Sequence, residues 1–322
     1  MRRVYCLALA AGFFLSEDRK NQILVFDVGG SHIAASVFSP MGMTLGPLSA
    51  VPVPGSASPA EFFDAFESLT KTVLPAPVSP DGVAIAMPNP FDSDRGVSYM
   101  KHKYQQLYGI ALRPGLAERL RCDPDRIHFL NDAAAFLMGE LAKGAATGVC
   151  RSVGITLGTG VGSAFAADGK IVVKGRGVPP GGEIWDLPYR DSIVEDVIST
   201  SAIQRMYEQL TGIRAEVREI ATVGSEHPQV RQTFERFGTE LGKVLRSTCL
   251  EFGPERIVIG GGISRSAGLF LPSAENELVD TGIQLRVSEL FERAPLIGAG
   301  VSWTQKDTEE TKPPKREPTS VA

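Results

Sequence analysis

Residues 23–43 read ILVFDVGGSHIAASVFSPMGM. An apolar run interrupted only by Asp27 leads into Gly29-Gly30-Ser31, a second apolar run follows, and a turn at Pro40 to Gly42 closes the segment. Apolar run, glycine turn, apolar run describes a β-hairpin whose tight connection uses glycines able to adopt positive φ. Residues 153–170, VGITLGTGVGSAFAADGK, repeat the pattern about 130 residues later and close on Asp168-Gly169. One such hairpin in each half of the chain implies two related α/β lobes with a cleft between them.

The whole chain agrees with that division. Its 322 residues exceed one small core and suit two lobes of ordinary size, and 43% hydrophobic with 22% charged residues is the composition of a globular protein. A formal net charge of −4 without a basic stripe speaks against nucleic acid or anionic membrane as partner. Cys6, Cys122, Cys150 and Cys249 are scattered, which spells neither a disulfide framework nor a four-ligand metal site and fits a reducing, cytoplasmic setting. Residues 1–15 imitate a signal peptide weakly, with an apolar run too short to span a bilayer, and read as an extended or mis-called start before the first strand. Residues 304–322 are polar and proline-bearing, so a flexible tail is expected there, as it is for residues 1–20.

Between the hairpins, residues 59–73 are amphipathic, 82–87 form a short apolar strand, 114–121 a helix and 127–130 another strand. Asn131-Asp132 ends that strand and opens a helix to about residue 143, with Asp132 placed as its N-cap. Beyond the second hairpin, helices are expected over 193–210 and 230–251. The strand 257–259 then runs straight into Gly260-Gly261-Gly262, and a small-residued helix over about 295–303 closes the fold.

Phosphate chemistry is readable in the turns. Successive backbone amides at Gly29-Gly30-Ser31 and at Gly158-Thr159-Gly160 with Gly162 form anion-binding concavities, to which Ser31 and Thr159 add hydroxyls. The dinucleotide fingerprint does not apply, since strands rather than helices follow both turns, and no Gly-Lys-Ser/Thr of a Walker loop occurs. A single glycine hairpin is most simply just a hairpin; two, with a third glycine run, suit a nucleotide with a long phosphate tail. Asp27 is either a turn aspartate or a carboxylate holding hydrated Mg²⁺ near the terminal phosphates. A bare helix cap explains an isolated Asn131-Asp132 pair. Phosphoryl transfer to an alcohol, however, needs a carboxylate to accept the hydroxyl proton, and a strand end at a lobe boundary holds one rigidly. Asn131, Glu183 and Glu195 are candidate partners for sugar hydroxyls.

Taken together, Asp27-x-Gly29-Gly30-Ser31, Asn131-Asp132-Ala133-Ala134 with Gly139-Glu140, residues 157–162 (LGTGVG), Gly182-Glu183-Ile184 and residues 259–263 (IGGGI) resemble the ROK family (repressor, open reading frame, kinase) in order and spacing across residues 22–303. The resemblance implies an α/β, two-lobed, actin-like (ribonuclease-H-like) ATPase fold with the active site in the inter-lobe cleft. Residues 22–130 would form the smaller lobe, joined by the helix at about 295–303, and 131–294 the larger. It implies ATP-dependent phosphorylation of a hexose or N-acylhexosamine by a cytoplasmic homodimer using Mg²⁺, with no nucleic acid and no membrane partner. By the same resemblance Asp132 is the general base and binds substrate with Asn131, Glu183 and Glu195. The two hairpins hold phosphates and Gly260 to Gly262 flank the adenosine.

Two departures stand out. Family members usually follow Gly-Glu-Ile with Gly-His and a cysteine-rich zinc loop; here Asp186 stands at the His position and no cysteine lies between Cys150 and Cys249. No structural zinc is therefore expected, and Asp186 becomes a candidate acceptor of sugar hydroxyls. Pro88-Asn89 stands where Pro-Gly is common, and Lys103 falls near a position where many members place a sugar-binding Asn. The rival reading is a non-catalytic sugar sensor or regulator of the same fold. The roughly 20 residues before the first hairpin are neither long nor basic enough for a winged helix, and the Asn131-Asp132 pair with both hairpins is complete.

Overall fold

The computed structural model describes residues 22–74, 79–101 and 103–310; the expectations for residues 1–20 and 311–322 lie outside the described residues. The first half forms strands β1 (Ile23–Val28), β2 (His32–Ser39), β3 (Thr44–Leu45), β4 (Ser49–Pro52) and β5 (Gly82–Met87), a small hairpin β6 (Phe91–Asp92) and β7 (Val97–Ser98), and β8 (Ile127–Asn131). Helix α1 (Pro59–Val73) precedes β5, α2 (Leu112–Leu120) precedes β8, and α3 (Asp132–Lys143) follows it. The second half forms β9 (Arg151–Leu157), β10 (Val161–Ala167), β11 (Lys170–Val172), the two-residue strands β12 (Pro188–Tyr189) and β13 (Ser192–Ile193), then β14 (Arg256–Gly260) and β15 (Gln284–Val287). Its helices are α4 (Val194–Ile198), α5 (Thr200–Thr211), α6 (Val217–Val223), α7 (Pro228–Cys249), α8 (Ala267–Asn276) and α9 (Ala294–Glu310).

The two halves share one topology. The first sheet runs β3-β2-β1-β5-β8, with β4 also on β2, and the second runs β11-β10-β9-β14-β15. In each, the opening hairpin is antiparallel, its first strand pairs in parallel with one later strand, and that strand pairs in parallel with the next. The paired lobes are those expected from the two glycine hairpins, and the architecture is the ribonuclease-H-like one that the family resemblance implies. Strands buried on both faces account for the near-continuous apolar runs 23–26 and 82–87.

Each half has its own core. In the first, α1 starts with a capping box: Ser58 Oγ accepts from the Glu61 amide at 3.3 Å, and the Ser58 amide donates to Glu61 Oε2 at 2.8 Å. Phe62, Phe66, Leu69 and Val73 then face inward at helical spacing, and Phe66 packs on Phe26 with ring centroids 4.5 Å apart. In the second, α7 buries Val230, Phe234, Phe237, Leu241 and Leu245 beneath β9 and β14.

The last helix of each half crosses to the other half. Helix α3 packs Ala133, Phe136 and Leu137 on β10 and β14 of the second sheet, whereas α9 lays Leu296, Ile297, Ala299 and Trp303 on Ile23, Val25 and Ala84 of the first. The two helices meet each other where Gly139 abuts the carbonyl of Ala294 and Gly298 abuts that of Ala135. A β-carbon on Gly298 would stand 1.8 Å from that oxygen, so the small residues noted near 295–303 let two helix backbones touch.

Three local expectations need correcting. The helix expected over 193–210 is broken at Ser199, whose ψ of 179° is extended, so that the Thr200 amide reaches the Gly158 carbonyl at 2.8 Å. The N-cap of α3 is Asn131, which accepts from the Ala134 amide at 3.0 Å, and Asp132 is the first helical residue. The closing helix runs on to Glu310, past both its expected end and the expected start of the tail at 304.

Candidate active site

Hydrogen bonding at the two glycine turns is only partly satisfied within the chain. The Gly29 amide donates to the His32 carbonyl at 2.9 Å and the Gly158 amide to Gly160 at 3.0 Å. The amides of Gly30, Ser31, Thr159 and Gly160 find no acceptor among the described residues, and Gly30, Ser31 and Thr159 are exposed. Unpaired successive N–H groups are what an anion needs. The expected reason for the glycines is corrected: none of Gly29, Gly30, Gly158 or Gly160 has φ in the left-handed region. Space explains Gly29, Gly160 and Gly162, whereas a β-carbon at Gly158 would meet nothing within 4 Å. A β-carbon at Gly160 would lie 2.7 Å from Glu195 Oε2, one at Gly162 would lie 2.4 Å from Thr156 Oγ1, and one at Gly29 would crowd His32 at 3.2 Å. Asp168-Gly169, by contrast, does close its hairpin with positive φ, at 51° and 74°.

Asp27, near the end of β1, and Asp132, at the head of α3, are close enough to feel each other's charge. Both are partly reachable by solvent yet sit deep among protein atoms. Burial, and secondly the charge of Asp132, pushes the Asp27 carboxyl up to about 7. Burial pushes Asp132 up to about 6, against the pull of the Ala133 amide and then of the Lys103 ammonium, while the charge of Glu183 adds to the rise. Asp132 Oδ1 accepts from the Ala133 amide at 2.8 Å and from Asn131 Nδ2 at 3.1 Å, so the adjacent asparagine both caps the helix and orients the carboxylate.

The donor set at Asp27 fits a magnesium ion. It offers hard carboxylate oxygen whose raised pKa a cation would relieve. No group of three or more His, Cys, Asp or Glu among the described residues is placed to hold a metal unaided, so phosphate and water would complete the shell. The cost of the uncompensated charge is measurable. Because the folded pKa lies above the unfolded value of 3.8, the contribution of Asp27 to stability is fully present below about pH 4 and is lost as pH rises towards 7. Asp27→Asn is therefore expected to raise the thermal midpoint of the nucleotide-free protein at pH 8 and to lose that advantage at pH 4. An equal gain at both would contradict the assignment.

From the second half, Glu183 enters with both oxygens engaged: Asn89 Nδ2 donates to Oε1 and Trp185 Nε1 to Oε2, the latter at 2.9 Å. Asn89 follows β5, so this contact bridges the two halves. Beside it opens a cavity of about 360 Å³ lined by Asn89, Phe91, Tyr99, Glu183 and Trp185 among others. Glu195 accepts from the Val161 amide at 2.9 Å, which places one carboxylate oxygen on the second glycine turn and leaves Oε1 without a hydrogen bond among the described residues. Asp186 is exposed and makes no hydrogen bond among the described residues. Where the family places a zinc loop, residues 188–193 form a two-stranded hairpin without cysteine.

The third glycine run divides by position. Gly260 is packed against the Phe136 ring, Gly261 turns the chain at φ 79° against Leu157, and Gly262 faces open space. Sequence reasoning did not anticipate that Asn89 and Trp185 hold Glu183, or that Tyr104 is tied to the first turn. The Tyr104 hydroxyl donates to the Gly29 carbonyl at 2.7 Å, and burial, with the charge of Asp27 second, pushes that phenol up to about 12, so it stays a donor. Pro88-Asn89 and Lys103 had registered only as departures from a pattern.

A sequence model described as the ROK family matches residues 23–305. A glucokinase of Thermotoga maritima is 25% identical over 248 residues, covering 67% of this chain and 77% of that protein. An N-acetylgalactosamine kinase of Shewanella sp. strain ANA-3 is likewise 25% identical, over 233 residues, covering 66% of this chain and 69% of the other. Among solved structures, a ROK family glucokinase from Streptomyces griseus in complex with glucose and AMPPNP superposes with a TM-score of 0.74. It shares 20% identity and covers 88% of this chain and all of its own.

Proposed function

Because the chain belongs to the ROK family, we propose that it is a sugar kinase that transfers the γ-phosphoryl group of ATP to a hydroxyl of a hexose or N-acylhexosamine. The observation that carries the reading is the convergence of Asp132, its carboxyl raised by burial, with Asp27 and Glu183 beside the amides left free at a glycine turn. The nucleotide phosphates lie along the turns at Gly29, Gly30, Ser31 and at Gly158, Thr159, Gly160, Gly162, with the adenosine in the open space at Gly262 and against Gly261. The sugar sits under Asn131, Glu183 and the free oxygen of Glu195, at the mouth of the aromatic-lined cavity. Asp186 stays at the rim.

In the reaction a lone pair of the sugar hydroxyl oxygen forms the new O–P bond while the bond from phosphorus to the β,γ-bridging oxygen breaks. That bonding pair leaves with ADP, and the hydroxyl proton passes to Asp132. Asn131 holds the Asp132 carboxylate in place, and Glu195 braces the second turn through Val161. Asp27 would hold a magnesium ion, through water, which would supply charge neutralisation at the phosphates. A homodimer in the cytoplasm is part of the same proposal and rests on the family resemblance alone; no helix among the described residues is long and apolar enough to cross a membrane.

ADP release from MgATP is the test, measured with glucose, mannose, fructose, N-acetylglucosamine, N-acetylgalactosamine and N-acetylmannosamine. Turnover on one or more of them is the expected result. Sugar binding by calorimetry without turnover on any would replace this reading with a sugar sensor.

A further inference from the structure

Lys103 stands apart from the other groups of the cleft. Its Nζ and Cε each lie 3.4 Å from where a β-carbon on Gly30 would be, so the side chain lies over the first glycine turn, at one of its unpaired amides. The position is fixed from behind. The adjacent Tyr104 turns the backbone with φ 47°, buries its ring against Phe62 with centroids 5.3 Å apart, and ties its hydroxyl to the Gly29 carbonyl. Gln106 adds a bond to the Ser56 carbonyl at 2.7 Å. The backbone that carries Lys103 is thereby tied to the first turn.

Charge around this ammonium is unbalanced. Asp27, Asp132, Glu183 and Glu195 bring four carboxylates to the site, and Lys103 is the cation whose field Asp132 feels. No carboxylate among the described residues approaches Lys103 within ion-pair distance, so a half-buried cation is left without a bonded partner beside free amides. A terminal phosphate brought to a site with this many carboxylates needs positive charge besides its metal. A compact ammonium on a flexible stem, with three donors, suits phosphate oxygen.

We propose that Lys103 binds the terminal phosphate of the bound nucleoside triphosphate, so that the site holds the triphosphate more tightly than the diphosphate. The inference rests on the kinase reading, and it assigns Lys103 to the donor rather than to the sugar. Its consequence is release of ADP once the γ-phosphoryl group has left, because the contact leaves with that group.

The experiment is calorimetric binding of AMPPNP and of ADP, each with Mg²⁺ and without sugar, to the wild-type protein, Lys103→Gln and Lys103→Arg. Lys103→Gln is expected to weaken AMPPNP by roughly 10- to 100-fold, the loss of one hydrogen bond to a charged group, with ADP changed far less. Lys103→Arg should restore most of the triphosphate preference. An unchanged AMPPNP-to-ADP ratio in Lys103→Gln would overturn the assignment, and so would, in a parallel turnover assay, a rise confined to the sugar KM. Wild-type protein that binds neither nucleotide would instead bring down the kinase reading and this inference together. A thermal melt of Lys103→Gln, a substitution at a partly exposed side chain, separates these results from misfolding.

Discussion

Asp132→Asn is expected to lower kcat by about 10²- to 10⁴-fold while leaving the fold and sugar affinity in place. An amide at this position still offers an oxygen to the Ala133 amide, and the cap of α3 belongs to Asn131, so the helix start survives the change. What disappears is the acceptor for the hydroxyl proton. The same burial that makes the carboxylate a good base costs stability when it ionises, so the variant is also expected to melt at or above the wild-type temperature at neutral pH. With the Asp132 carboxyl raised to about 6, kcat/KM of the wild type should fall as pH drops through about 6, and the residual rate of the variant should lose that limb. Near-wild-type turnover of Asp132→Asn would remove Asp132 from the role of base.

How much of this was legible in the sequence depended on whether a residue acts through its neighbours in the chain. The two hairpins were legible because strand, turn and strand are contiguous, and so was Asn131-Asp132, which sits where a buried strand meets a helix. Their division of labour was not. Whether the first or the second residue of the pair caps α3 turns on backbone dihedrals that either sequence order permits. The glycines of the turns were read for their freedom of φ, whereas what Gly29 and Gly160 need is room for His32 and Glu195, and Glu195 comes from a separate helix that periodicity cannot connect to the turn. Glu183 was legible as a candidate sugar partner, through Gly182-Glu183-Ile184 and the resemblance it carries. Its fixed orientation was not, because Asn89 lies 94 residues earlier and comes from the other half of the fold. The break at Ser199 was invisible for a related reason: residues 193–210 keep a helical pattern, and a long-range bond from Thr200 to the second turn wins over it.

The same principle makes one position far from the chemistry a decisive test of how the halves are joined. Gly298→Ala is expected to destabilise the protein although alanine is the better helix former by nearly 1 kcal/mol. A β-carbon there would stand 1.8 Å from the Ala135 carbonyl oxygen, a backbone atom with no rotamer to yield. Helix α9 must then back away from α3, opening the packing that Ala294, Leu296 and Ile297 share with both sheets. Overpacking of this kind costs about 3 kcal/mol, which outweighs the propensity gain, and a midpoint lowered by roughly 5–10 °C should result. Gly268→Ala is the matched control: it lies in α8 with nothing within 4 Å of its would-be β-carbon, and should be neutral or slightly stabilising. Activity adds a second measure. Ala135 is within one turn of Asp132, so displacing α3 displaces the base, and a shift of about 1 Å can cost near 10²-fold in rate. Gly298→Ala assayed well below its melting point should therefore turn over far more slowly than its folded fraction predicts. A loss of rate that merely tracked unfolding would mean that α3 keeps Asp132 in register without its contact to α9.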